Sequence, residues 1–149
     1  MNLALRSALF GTLIALAILN HAHAQALDYL HRAEEAAGHG DGLAAIQLFQ
    51  SAIIYAPATP EPYIGIAGYY SANGQTELAE KYFDIALEMD PANPPALRGL
   101  ALIALGRGDI AGAEARHRIL VEACAPICPE AAEVQGAINS HAPSVLAVE

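Results

Sequence analysis

The sequence predicts an all-α protein built from stacked helical hairpins, and three observations do so. Large and small residues recur at a spacing of 34: Tyr29, Tyr63 and Leu97; Ala33, Ala67 and Ala101; Ala45, Ala79 and Ala113; Phe49 and Phe83. Turn residues recur in the same register, at Gly40-Asp41, Asn73-Gly74 and Gly108-Asp109. Thr59-Pro60 and Asn93-Pro94 each set a capping oxygen just before a proline, which is how a helix begins with proline at its first position.

Residues 1–24 read differently from the rest. Arg6 supplies a positive start, Ala8 to Leu19 is an apolar run of 12 residues, and Ala22-His23-Ala24 places small residues where a signal peptidase reads. We expect a secretory signal peptide cut after Ala24; an uncleaved amino-terminal anchor is the alternative. No Cys stands at the cut, which disfavours a lipoprotein. The run is short for a membrane span, which takes roughly 17–25 residues. Removing residues 1–24 takes away Arg6 and no acid, so the formal charge moves from −9 to −10. An acidic surface disfavours nucleic acid and anionic lipid as partners. The expected location is therefore periplasmic or secreted, with no membrane insertion after cleavage.

The repeating part follows as residues 25–140, in repeats of about 26–59, 60–93 and 94–127. Helices are expected near 27–38, 42–55, 61–72, 77–89, 95–106, 110–123 and 130–140. The small residues Ala33 and Ala45, Ala67 and Ala79, and Ala101 and Ala113 allow the two helices of each hairpin to approach closely. Tyr29, Phe49, Tyr63 and Phe83 fill the space between one hairpin and the next. Gly40 and Gly108 read as left-handed helix stops, each followed by an N-cap aspartate; Asn73-Gly74 stops the helix in the second repeat, with Thr76 as candidate N-cap. Gly65 and Gly68 stand mid-helix and suggest close approach of a neighbouring helix or a ligand. The third repeat departs late: His117 replaces an aromatic, Leu120 a small residue, and the closing proline is missing. A cap helix at 129–140 presents Ala131, Val134 and Ile138 inward, and Glu130, Glu133 and Gln135 outward. Residues 141–149 are expected to be a flexible tail.

The stretch Pro60 to Asn93 resembles one complete tetratricopeptide (TPR) repeat: Tyr63, Ile66-Ala67, Tyr70, Gly74, Ala79, Phe83, Ala86 and the closing Pro91 fall at the family's spacing. The resemblance implies a right-handed α-solenoid of three helical hairpins with a C-terminal capping helix. It also implies a concave face lined by the first helices. The implied concave residues are Leu27, Leu30, Glu34, Ala37 and Gly38; Glu61, Ile64, Gly68, Ser71 and Ala72; and Pro95, Arg98, Leu102, Leu105 and Gly106. The Lys and Asn clamp with which chaperone-binding members hold a terminal carboxylate is absent at these positions. A small-sided, largely apolar groove with one Arg suits an amphipathic helix or an extended apolar peptide. The chain's own Val145–Val148 and a second copy of the chain are other occupants, and Leu27 and Leu102 could instead pack within the array. The expected role is a scaffold or adaptor that binds another protein in the cell envelope.

Cys124 and Cys128 are the two cysteines. In an oxidising compartment such a pair is expected to be a disulfide, and Pro126 breaks the helix that would otherwise hold the two sulfurs apart. The bridge would tie the last repeat to the cap helix. The string Cys124-Ala-Pro-Ile-Cys128-Pro129 also resembles the Cys-x3-Cys-Pro stretch of the Sco family of copper-handling proteins. That likeness implies the alternative of a copper-binding or thiol-redox accessory, with His117 or His141 as a third ligand. Free thiols are the remaining option.

Nothing points to catalysis. No two of His31, His39, His117 and His141 stand four apart. Ser51, Ser71, Ser140 and Ser144 have no nucleophile-elbow setting, and the glycines form no phosphate loop. No cofactor is expected, and no metal outside the cysteine alternative. Glu77, Glu80, Asp84 and Glu88 read as a solvated stripe.

Overall fold

The computed structural model describes residues 3–124 and 126–141, with side chains described at residue 17 and from residue 20 onward. Seven helices follow one another: α1 (Leu3–Gly38), α2 (Gly42–Tyr55), α3 (Pro60–Ala72), α4 (Thr76–Met89), α5 (Pro94–Gly106), α6 (Ile110–Cys124) and α7 (Pro129–His141). No strand occurs among the described residues. The chain divides into two compact units, Met1–Pro62 and Tyr63–Glu149.

In unit one, α1 and α2 form an antiparallel hairpin. Gly40 takes φ +81°, the left-handed stop that favours glycine. The Asp41 backbone N–H donates to the Ala36 carbonyl at 2.9 Å, and the Asp41 carboxylate accepts from the Ala44 N–H at 3.1 Å. One residue thus closes α1 and caps α2. Ala33, Ala45, Phe49 and Ala52 are buried. Tyr29 stacks on Tyr55 of the same hairpin, centroids 5.6 Å apart, so its ring finds its aromatic partner within the first repeat.

α1 begins at Leu3, far before the expected 27. Residues 3–26 hold no proline and are rich in Ala and Leu, so no stop signal precedes the apolar helix that faces α2. Among the described residues no helix is long and apolar enough to cross a membrane.

Unit two stacks α4 through α7 behind the body of α3. Its core has two parts. Ala67, Ala79, Phe83, Ala86, Ala96, Leu100 and Ile103 join α3, α4 and α5. Leu97, Ala101, Ala104, Leu105, Ala113, Leu120, Ala131, Val134 and Ile138 join α5, α6 and α7. Phe83 lies over Gly99: a Cβ built there would come within 3.0 Å of the ring carbons Cζ, Cε2 and Cε1. An aromatic ring reaching into the next hairpin needs that missing side chain.

The late departure of the third repeat has a structural reason. Leu120 is fully buried in the cluster with Ala131, Val134 and Ile138 of α7. A large residue fits there because the cap helix supplies the surface that covers it. Asn93 caps α5 through the Ala96 N–H at 3.2 Å and Asp109 caps α6 through the Gly112 N–H at 2.9 Å. Between α3 and α4, Gly74 takes φ +70°, but the N-cap is Gln75 and not Thr76, which is the first helical residue. Gln75 occupies the place that Asp41 and Asp109 hold after their glycines, and its side chain makes no capping hydrogen bond. His141 ends α7, its Nδ1 2.8 Å from the Ala137 carbonyl oxygen, so it belongs to the helix and not to a tail. Residues 142–149, including Val145–Val148, lie outside the described residues.

Candidate functional site

In unit one, Leu27 is 52% exposed and Glu34, Ala37 and Gly38 are exposed. Leu27 and Leu30 line a narrow cleft of about 20 Å³ with Ala26, Ala52, Ala56 and Pro62, space for about one water. Glu61 is exposed.

In unit two the positions divide. Ser71, Leu102 and Gly106 come together along a surface depression of about 400 Å³, with Thr76, Glu77, Ile103 and Arg107 completing its lining. These last four lie at helix ends or on the flank of α5, outside the implied concave set; Arg107, directly before the Gly108 turn, was the readable hint. Gly68, Ala72 and Pro95 are exposed. Nothing lies within 4 Å of where a Cβ of Gly68 would sit, which overturns close approach of a neighbouring helix there. Ile64 and Leu102 are half-buried, each leaning on the core with part of its surface free. Leu105 is 3% exposed and belongs to the core, not to a groove, because α6 and α7 close over that side of α5.

Arg98 is engaged by the chain itself. Its Nη1 donates to both carboxylate oxygens of Glu133 on α7, at 3.0 and 3.2 Å. Arg107 pairs with Glu80 at 2.8 Å. Both pairs are solvent-accessible and contribute at most about 1 kcal/mol each. In the acidic stripe Glu77, Asp84 and Glu88 are exposed and Glu80 is half-buried. Desolvation of the Asp84 carboxyl, then Glu80, raises it above the usual value; Glu88 adds to this and Arg116 opposes it. Ionised Asp84 therefore works against folding, and that penalty lifts as pH falls through its folded pKa.

At the other end of unit two, Cys124 and Cys128 are joined at disulfide distance, with Cα atoms 5.3 Å apart. The bridge spans the break between α6 and α7, as Pro126 allows. Glu130, Cys124 and Cys128 place their donor atoms within 4.8 Å of one another, all three half-buried. His117 lines a neighbouring depression of about 260 Å³ with Cys128 but is not one of that trio. His31, His39 and His141 are exposed and distant in sequence from one another.

Similarity to solved structures settles the architecture. The TPR domain of Sgt2 from Aspergillus fumigatus has a TM-score of 0.68 and 25% identity over 78% of this chain and 76% of that one. The fold is that of the tetratricopeptide repeat. The Yersinia enterocolitica type III secretion chaperone SycD, in complex with a peptide of the translocator YopD, has a TM-score of 0.64 and 23% identity over 76% of this chain and 86% of that one. The first TPR domain of Spaghetti (RPAP3), bound to the HSP90 peptide SRMEEVD, has a TM-score of 0.69 and 16% identity over 81% of this chain and 96% of that one. No protein-family model matches the chain, and no curated protein does.

Proposed function

We propose that this TPR protein is an exported adaptor that holds a partner peptide or helix on the first-helix face and acts by position, without chemistry. The observation that carries the reading is the depression where Ser71, Leu102 and Gly106 meet beside the open surface at Gly68. Peptide complexes of two proteins of the same fold support it. The chemistry of the face favours an apolar ligand over a terminal carboxylate. No Lys or Asn stands at the concave positions, and Arg98 already holds Glu133. Half-exposed Ile64 and Leu102 would then be covered on binding, each apolar Å² contributing about 25 cal/mol before the entropy of association is counted. Residues 1–24 would direct the chain to the cell envelope, and an unrelated protein there, or a second copy, would be the occupant.

The test is capture from envelope extract with the purified chain and three variants. Leu102→Glu and Ile64→Glu should lose the captured partner while circular dichroism stays helical. Gly68→Glu places its charge where no atom is near, so it should do the same with the core untouched. Undiminished capture by all three would end the docking reading. A second reading, a copper or thiol-redox accessory, draws on the half-buried Cys124 and Cys128 pair, whose Cα atoms are 5.3 Å apart.

A further inference from the structure

We propose that Cys124, Cys128 and Glu130, with the disulfide opened, form a zinc site that clips α6 to α7. Three groups of metal-ligand chemistry converge there, from the last residue of α6, the residue before α7 and the first turn of α7. Their donor atoms lie within 4.8 Å of one another, and Glu130 Oε2 is 3.8 Å from Cys128 Sγ. Among the described residues this is the one such cluster of three. Glu130 takes part in none of the ion pairs of the described residues. Its place in the first turn of α7 is favourable for any acid, but that alone does not bring two sulfurs to it.

The donor set selects the cation. Two thiolates suit the thiophilic ions Cu(I) and Zn(II), and a carboxylate is a common third ligand for zinc but a poor one for Cu(I). The Cys128 carbonyl accepts the Ala132 N–H at 3.1 Å, so Cys128 stands at the positive end of α7, where negative charge is stabilised. The depression shared by Cys128, His117 and Gln135 leaves a path for water or a further ligand to a fourth position.

The electrons and protons balance with a small dithiol as reductant. The dithiol gives two electrons to the S–S bond and closes to its own disulfide, and its two protons pass to Cys124 and Cys128. Zinc then displaces both protons to form two Zn–S bonds, with Glu130 as an oxygen ligand. Disulfide and zinc thus make the same tie between α6 and α7 in two redox states. The site stands whether or not the first-helix face binds a partner.

The test is titration of the full chain, dithiol-reduced and kept free of oxygen, with zinc against a chromophoric chelator and with Co(II) as a spectroscopic substitute. The reduced chain should bind one zinc, and Co(II) should give a near-ultraviolet thiolate-to-cobalt band; the oxidised chain should give neither. Cys124→Ser and Cys128→Ser should each weaken binding by at least the 10–100-fold typical of lost outer-shell support. Glu130→Gln should weaken it roughly tenfold while keeping the thiolate band. Reduced wild type binding no tighter than the double serine variant would overturn the site. Equal affinity in Glu130→Gln, or capture of Cu(I) without zinc, would overturn the assignment of carboxylate and cation. Circular dichroism of each form separates loss of ligand from loss of fold.

Discussion

Gly68 and Gly99 are both glycines inside helices, and their surroundings give them opposite roles. Either one replaced by Ala gains up to about 1 kcal/mol of helix propensity. At Gly68 the new methyl meets nothing within 4 Å, so the gain stands. At Gly99 it collides with the ring of Phe83, which is 5% exposed and held in the core. Overpacking of that kind costs about 1–3 kcal/mol, more than the helix gains. Gly68→Ala should therefore raise the thermal midpoint and Gly99→Ala should lower it, each by a few degrees. A rise for Gly99→Ala in scanning calorimetry would mean that the ring has room to move. Sequence alone could not separate the two positions, because the cause lies in a ring 16 residues away on another helix.

Helix ends were the most legible elements, since caps are local chemistry. Asp41, Asn93 and Asp109 were readable because a short side chain with an oxygen follows or precedes an obvious breaker. The same logic misplaced the start of α4 by one residue. Thr76 looked like a cap by residue type, but the backbone after Gly74 puts Gln75 there, with φ −88° and ψ 65°. That is nearly the conformation of Asp41, φ −85° and ψ 72°. Gln75→Asp should thus reach the Leu78 N–H as Asp41 reaches Ala44, and add about 1 kcal/mol of stability. Urea denaturation would register it as a higher midpoint at unchanged slope; an unchanged midpoint would mean that water already serves that N–H equally well. Leu105 was misread for the converse reason. Its place in a repeat frame says which way it points on an average hairpin, whereas here α6 and α7 together close over it.

At the scale of the whole chain, the question is whether residues 1–24 belong to the folded protein. The continuity of α1 from Leu3 to Gly38 does not by itself make them part of the core. Among the described side chains, Ala17, Asn20, His21, His23 and Ala24 are exposed, Ala22 is half-buried, and the first buried one is Ala26. The buried and capping contacts of unit one among these described side chains fall after the expected cut: Ala26, the Tyr29 stack on Tyr55, Ala33 and the Asp41 cap, while His23 before it lines the cleft with Ala52 and Ala56. Exposed side chains such as those at 20, 21, 23 and 24 add little, because short helices owe their stability in water to packing. A chain beginning at Gln25 should accordingly fold with the same disulfide and a thermal midpoint within a few degrees of the full-length form. Expressed with an intact export pathway, the protein should be recovered with Gln25 at its amino terminus, read by intact mass. An amino terminus upstream of Ala24 on the recovered protein would sink the export reading, and a large fall in midpoint for the shortened chain would show that the early turns of α1 bear on the fold after all.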